Sequence, residues 1–250
     1  MDLAGRCALV TGGGTGVGRA VVLDLARAGA AVAVNYSRSE HAARATADEA
    51  RQLGVRALAV AADVADAGAV RAMVERVVAD LGGLDMVVNS AGITVQVPHA
   101  DLDGLDDAAW DRVLGVNLKG PFNVIRAAAP YLRQARGAVV NIGSIAGVHG
   151  IGSSLPYCAS KAALNNLTVT LARVLAPEVR INTVAPGFID TRWWQERPEY
   201  ALVREFAEKR ALLHRICQPE DVARLVLDLL RNDLVTGEVV VIDGGMARAL

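Results

Sequence analysis

The segment Tyr157-Cys158-Ala159-Ser160-Lys161 puts a phenol and a primary amine four residues apart. On a helix that is one turn, so both side chains share a face. A phenol titrates near pH 10, and bringing it to about pH 7 requires roughly 4 kcal/mol of preferential stabilisation of the phenolate, which a cation in a dry site can help supply. A phenol tuned in this way is a general acid/base. Alone the pair carries little weight, because such spacings recur by chance in helices. Two more residues give it context. The apolar segment 138–142 ends at Gly143-Ser144, where a hydroxyl can donate to an oxygen that Tyr157 also protonates. Asn117 interrupts the apolar run Val113-Leu114-Val116-Leu118, and a buried amide needs partners; the plain alternative is a local helix irregularity.

A second constellation lies near the N-terminus. Thr11-Gly12-Gly13-Gly14-Thr15-Gly16-Val17-Gly18 follows an apolar run and opens a helical pattern. Glycines allow a sharp turn and close approach to a pyrophosphate, whose charge then meets the positive end of a helix. A glycine-rich turn by itself is a weak signal; a strand before it and a helix after it point to a dinucleotide site. NAD-binding versions place an acid at the end of the second strand for the ribose hydroxyls. Here that segment is Asn35-Tyr36-Ser37-Arg38-Ser39, with no acid before Glu40. Arg38 can bind a 2'-phosphate through charge-assisted hydrogen bonds, so the reading favours NADP(H) over NAD(H); a solvated loop cation is the bland alternative. Asp63-Val64 and Asn89-Ser90-Ala91-Gly92 follow the third and fourth apolar runs and reach the same crevice, although each alone is an ordinary turn or cap.

These residues need elements to hold them. Residues 6–10, 31–34, 57–61, 86–88, 138–142, 180–184 and 239–242 read as strands, rich in Val or Ala and mostly uncharged. Helical patterns lie between them, such as 20–26 ending at Gly29 and 70–81 ending at Gly82. Strands apolar on both faces, alternating with helices, predict an α/β fold: a Rossmann-type, doubly wound parallel sheet of about seven strands with helices on both sides. No linker, repeat or charge block divides residues 1–250, so one domain is expected. The alternation breaks at Ile189 to Ile216, a mostly polar insertion with Trp193, Trp194, Pro198 and Phe206. Above the carboxyl edge of such a sheet it reads as a small lid, with Trp193, Trp194 and Phe206 as apolar walls and Arg192 and Arg197 as contacts for an acid or phosphate. The alternative for the tryptophans is that they pin the lid to the body.

Composition removes other classes. With 26 Lys plus Arg against 27 Asp plus Glu, the net charge of -1 argues against nucleic acid as a partner. Hydrophobic residues at 52% supply a sizeable core, which disordered chains lack. Cys7, Cys158 and Cys217 form no paired motif, and His41, His99, His149 and His214 are scattered, so neither a disulfide framework nor a metal site is expected. Strand-like Cys7 to Val10 comes almost at once, leaving no room for a cleavable signal; the expectation is cytoplasmic. The stretch from Gly137 to Ser160 has no charged side chain, but Asn141, Ser144, His149, Ser153, Ser154 and Pro156 make it a poor membrane span and a better buried strand with a substrate-facing loop.

Taken together, the chain resembles the short-chain dehydrogenase/reductase family from about Arg6 to Gly245. The family's TGxxxGxG motif matches Thr11, Gly12, Gly16 and Gly18, and its Asn-Asn-Ala-Gly motif is similar to Asn89, Ser90, Ala91 and Gly92. Its catalytic Asn, Ser, Tyr and Lys fall on Asn117, Ser144, Tyr157 and Lys161. Pro186-Gly187 matches the segment that contacts the nicotinamide, Ile189 follows it, and Thr191 matches the residue that bonds the carboxamide. The resemblance implies that Tyr157 exchanges a proton with a carbonyl or alcohol oxygen while hydride moves to or from the nicotinamide. It further implies that Ser144 polarises that oxygen, that Lys161 holds the ribose and lowers the Tyr157 pKa, and that Asn117 holds a relay water. Two departures stand out: Thr15 occupies a position that is basic in many NADP-using relatives, and Ser90 replaces the second Asn. Overall the chain looks most like 3-oxoacyl thioester reductases acting on acyl carrier protein. Sugars, steroids and other small secondary alcohols remain open as substrates, as does a non-catalytic NADP-binding redox sensor. Leu164, Leu167, Leu171 and Val174 lie on one face of the Tyr157 helix, with Ala162, Val169 and small or polar residues elsewhere; the second, semi-apolar face suggests a partner helix, and the resemblance implies that this helix and the Asn117 helix build a dimer within a homotetramer.

Overall fold

The computed structural model describes residues 1–191, 195 and 198–249. The apolar runs become one sheet of seven parallel strands in the order β3-β2-β1-β4-β5-β6-β7. They are β1 (Cys7–Thr11), β2 (Ala31–Tyr36), β3 (Ala57–Ala61), β4 (Met86–Asn89), β5 (Ala138–Ile142), β6 (Arg180–Pro186) and β7 (Val239–Ile242). The expected strands are all present; several run one or two residues further at the carboxyl end, where ladder pairing carries polar Thr11 and Asn89 along with the apolar run. Residues of β1 and β5 are buried throughout, whereas the edge strands β3 and β7 are partly exposed.

Alternate side chains feed two cores. On one face Ala8, Val10, Val32, Val34, Val88 and Val140 pack under α1 (Gly16–Arg27), α2 (Glu40–Gln52) and α9 (Pro219–Arg231). On the other, Leu9, Ala33, Val87, Val139 and Ile181 pack under α3 (Ala67–Leu81), α5 (Gly120–Ala135) and α7 (Leu155–Leu175). The remaining α-helices among the described residues are α4 (Asp107–Leu114), the single turn α6 (Ala146–His149) and α8 (Tyr200–Arg210) in the lid. Helix ends follow local chemistry. Asp66 accepts from the amides of Gly68 (2.7 Å) and Ala69 (3.1 Å) to start α3, and Gly82 closes it at φ 82°. The Arg180 guanidinium caps the far end of α9 by donating to the carbonyls of Leu229 (2.8 Å) and Leu230 (2.7 Å).

Strand β1 sits between β2 and β4, so the chain order reverses there and the loops after β1 and β4 diverge. The crevice opens at their carboxyl ends. Among the described residues no helix is long and apolar enough to cross a membrane. The uncharged stretch instead forms buried β5, a loop and the start of α7.

Candidate active site

The glycine-rich turn is held from three sides. Thr11 Oγ1 accepts from the backbone amides of Ser90 and Ala91, both at 3.1 Å, and so fastens the loop after β1 to the loop after β4. A Cβ on Gly12 would lie 2.9 Å from Ala91 Cα, and one on Gly18 would lie 2.3 Å from the Gly12 carbonyl oxygen. Neither contact is tolerable, so both positions require glycine. Gly14 seats the turn on α2, where its Cβ would meet the Ala43 amide at 2.8 Å. Beneath it, Asn35 is a brace: its Oδ1 accepts from Gly12 N (3.4 Å) and its Nδ2 donates to Ala62 O (3.1 Å). Asn35 is fully buried, which separates it from the exposed Ser37 and Arg38 that follow it. Tyr36 is half-buried and hydrogen-bonds Glu40, which also pairs with Arg44 at 2.7 Å.

The α1 N-terminus has no side-chain cap from Thr15, so its first amides face the crevice, while Val17 is turned into the core. Gly16, at φ 51°, is open apart from Thr191, whose Cγ2 is 3.5 Å from where its Cβ would be. Ile189 bridges to Cys217, and the Pro186 carbonyl accepts from Ile145 N at 2.9 Å. A Cβ on Gly187 would meet Asp243 Cβ at 2.7 Å, so that turn too is closed to larger residues. Asp63 is exposed and accepts from Ala65 N (2.9 Å); Val64 is buried, and its carbonyl accepts from Asn123 Nδ2 (3.0 Å).

The second constellation assembles on α7 and the loop after β5. Lys161 is only 5% exposed, and its ammonium donates to the Ile142 carbonyl at 2.8 Å and lies 5.8 Å from the centre of the Tyr157 ring. Ser144 hydrogen-bonds Tyr157, and its Oγ accepts from Ala146 N at 3.1 Å. Helix α6 lies directly on α7: a Cβ on Gly147 would be 2.4 Å from the Lys161 carbonyl carbon. Asn117 is completely buried inside a π-helical turn, Gly115–Lys119, so the expectation of a buried amide that needs partners and that of a local helix irregularity are both met. Its side chain is fully used: Oδ1 accepts from Ile93 N (2.9 Å), and Nδ2 donates to Ile93 O (2.9 Å) and Ser160 Oγ (3.1 Å). The amide therefore ties the loop after β4 to the Tyr157 helix, and it has no free donor for a water. Gly92 completes the cluster, its Cβ direction lying 3.6 Å from Asn117 Oδ1 and 3.8 Å from Lys161 Nζ.

Burial pushes the Lys161 ammonium down to about 8. It also raises the Tyr157 phenol, while the hydrogen bond from Ser144 pulls the other way. The sequence reading expects Lys161 to lower Tyr157; in the structure the phenol lies above its ordinary value, and the group acting downward is Ser144. The two ends of the crevice are joined by a buried chain in which Asn89 Nδ2 donates to Asn141 Oδ1 (2.8 Å), Asn141 Nδ2 to Thr168 Oγ1 (2.9 Å), and Thr168 meets Thr183 at 2.8 Å. Sequence reasoning gave Asn89 a turn or cofactor role and missed Asn141, Thr168 and Thr183. Polar residues interrupting apolar runs on adjacent elements were the available signal.

Two expectations are corrected. Phe206 does not wall the crevice: it is 60% exposed on α8, with the Arg210 guanidinium 5.5 Å over its ring, and lines a surface depression with Leu212 and His214. The stripe on α7 divides, because Leu164 joins the core face with Lys161, Thr168 and Ala172, while Val174 is 59% exposed. The positions read as contacts or walls at Arg192, Trp193, Trp194 and Arg197 lie outside the described residues.

Comparison with known proteins agrees with this geometry. A family model described as Enoyl-(Acyl carrier protein) reductase matches residues 12–247. The chain is 40% identical over 248 residues to a Staphylococcus aureus protein named 3-oxoacyl-[acyl-carrier-protein] reductase FabG, covering 96% of this chain and 98% of that one. It is 38% identical to the Thermotoga maritima protein of the same name, covering 98% and 99%. Among solved structures it is similar to a dehydrogenase/reductase from Sinorhizobium meliloti 1021, with TM-score 0.89, 38% identity and coverage of 98% and 97%. A short-chain type dehydrogenase/reductase from Mycobacterium marinum gives TM-score 0.89 at 34% identity, covering 98% and 96%. With a glycine-rich turn at the head of α1 and a serine, tyrosine and lysine converging at the end of β5, the chain belongs to the short-chain dehydrogenase/reductase family and is an NAD(P)-dependent oxidoreductase.

Proposed function

We propose that this chain reduces the ketone of a 3-oxoacyl thioester, carried on acyl carrier protein, to the secondary alcohol with NADPH. The observation that carries this reading is the convergence of Ser144, Tyr157 and Lys161 beside the glycine-rich turn. The substrate class follows the two FabG relatives. The crevice residues fit a dinucleotide: the Gly12-to-Gly18 turn is so tight that its backbone is bare, the α1 amides are uncapped, and Lys161 is the buried cation beneath. Gly12, Gly14, Thr15, Gly16, Val17 and Gly18 would surround the pyrophosphate. Asn35 to Arg38, with Asp63 and Val64, would enclose the adenosine half; Asn89, Ala91, Gly92, Pro186, Gly187, Ile189 and Thr191, with Tyr157 and Lys161, would enclose the nicotinamide half. Arg38 has no ion pair among the described residues, and the next acid along the chain, Glu40, is paired with Arg44, so the rim after β2 favours a 2'-phosphate.

When bound beside these residues, a nicotinamide would supply the hydride for the carbonyl carbon. Tyr157 gives its phenolic proton to the carbonyl oxygen, and Ser144, already hydrogen-bonded to that phenol, donates to the same oxygen as charge builds on it. Lys161, held by Ile142 with its ammonium 5.8 Å from the ring centre, would add its positive charge only as the phenolate forms. Asn117 acts one step back, by fixing Ile93 and Ser160 around this group.

NADPH consumption measured with acetoacetyl and crotonyl thioesters tests the reading. The ketone is expected to be the better substrate, with kcat in Tyr157→Phe lower by about 100-fold or more. Equal rates in the two proteins would remove Tyr157 as the acid, and a preference for the crotonyl thioester would shift the reaction to an enoyl double bond.

A further inference from the structure

Asp190 stands next to Thr191 at the entrance to the lid, and no role above uses it. Its side chain is 12% exposed and is the meeting point of three parts of the chain. It accepts from the Tyr200 hydroxyl at 2.7 Å and from Gln195 Nε2 at 2.8 Å, and it faces the Arg204 guanidinium at 3.7 Å. Gln218, at the head of α9, acts on the carboxylate in the same direction. The backbone closes the same junction: Asp190 N donates to Cys217 O at 3.0 Å, and Cys217 N donates to Phe188 O at 3.1 Å. The chain entering the lid and the chain leaving it are therefore joined where the carboxylate sits.

On α8 the contact continues in order. Arg204 donates to the Tyr200 oxygen at 3.3 Å, Tyr200 donates onward to Asp190, and Arg204 Nε donates to Glu208 at 2.9 Å. Among the described residues, this carboxylate is thus a polar attachment of the lid helix to the chain leaving β6. Burial works against its charge, but the hydrogen bonds from Tyr200 and Gln195 and the nearby Arg204 hold it below the usual carboxylate range, so it stays ionised at neutral pH. Thr191, the next residue, lies against Gly16 of the glycine-rich turn. A lid held in advance lowers the ordering cost when ligand arrives, and it does so without touching the reacting atoms.

We propose that Asp190 is a positioning residue that latches α8 through Tyr200 and Arg204 and thereby fixes the entrance to the lid, where Thr191 meets the glycine-rich turn. This rests on the reading of the chain as a carbonyl reductase. Breaking the latch acts on binding rather than on proton transfer. For the acetoacetyl thioester, KM is expected to rise about tenfold in both Asp190→Asn and Tyr200→Phe, with kcat within about threefold of wild type. The double variant is expected to rise no further than the larger single change, because both remove one contact. Lys209→Ala, which breaks an exposed ion pair with Glu205 on the same helix, is expected to leave KM unchanged.

A second readout is independent of turnover. Trypsin can cut Arg192-Trp193, whereas Arg197 is followed by Pro198 and resists it. Cleavage after Arg192, followed by mass, is expected to be faster in both single variants than in wild type, and no faster again in the double. Additive changes in KM, a fall in kcat at constant KM, or equal tryptic rates would overturn the latch. A wild-type protein that reduces no carbonyl would refute the proposed reaction, and the latch is then decided by the tryptic rates and their non-additivity alone.

Discussion

Lys161 and Arg38 show how differently two cations are used. Lys161 is buried, its ammonium is held by one carbonyl, and burial brings it down to about 8 from the ordinary 10.5. Its folded pKa is therefore depressed for a cationic group, so between about pH 8 and 10.5 the unfolded chain binds more protons than the folded one. Stability from this site rises with pH across that window, and below it the cost of burying the charge is fully present. Compared with Lys161→Met in thermal melts from pH 7 to 9.5, wild type is expected to gain relative stability as pH rises. Using the difference between the two proteins removes the buried thiols, whose raised pKa values act in the opposite direction. Arg38 is exposed, and its work is recognition. Arg38→Ala is expected to weaken NADPH binding about tenfold by fluorescence titration and to leave NADH within about twofold, since one charge-assisted contact is lost from only one of them. Equal losses for both cofactors would assign Arg38 to another part of the dinucleotide.

At the scale of elements, the site is a set of close contacts between pieces remote in sequence. Helix α6 reaches α7 only because Gly147 has no side chain. Gly147→Ala puts a Cβ against the backbone of Lys161, which cannot yield as a flexible side chain could, so α6 must move and Ser144 with it. A cost of about 1–3 kcal/mol is expected, seen as a lower Tm, together with a fall in kcat of more than about tenfold. An unchanged kcat would mean that Ser144 is held by β5 alone. The π-helical turn at Gly115–Lys119 works similarly: it rotates Asn117 inward so that one amide bonds both the loop after β4 and the catalytic helix. The polar chain from Asn89 through Asn141 to Thr168 then pins α7 to the sheet from below.

For the whole molecule, the sheet order puts the loops after β1, β2, β3, β4, β5 and β6 at one edge, so nucleotide and acid/base residues share a crevice. The helices on the Asn117 and Tyr157 side leave Phe122 and Val174 exposed, at 37% and 59%. We propose that this face joins copies of the chain in a homotetramer. Light scattering is expected to give about four times the chain mass of 26.2 kDa, and a monomeric mass would refute it.

Periodicity and apolar runs were enough to read the seven strands, the doubly wound class and the glycine-rich turn, because these depend on residue type at short range: Val and Ala in strands, Gly where a Cβ would strike a carbonyl. The spacing of Tyr157 and Lys161 likewise gave a shared helical face. What it could not give was environment. Whether Phe206 faces solvent, whether Leu164 or Val174 joins the core, and whether burial or a neighbouring cation governs the Tyr157 phenol depend on what packs nearby from elsewhere in the chain. Asn35 and Asn117 make the same point, since Asn35 bonds backbone groups 23 and 27 residues away and Asn117 a backbone amide 24 residues away. Desolvation and hydrogen-bond partnership are long-range properties of the folded chain, and only the tertiary structure decided them.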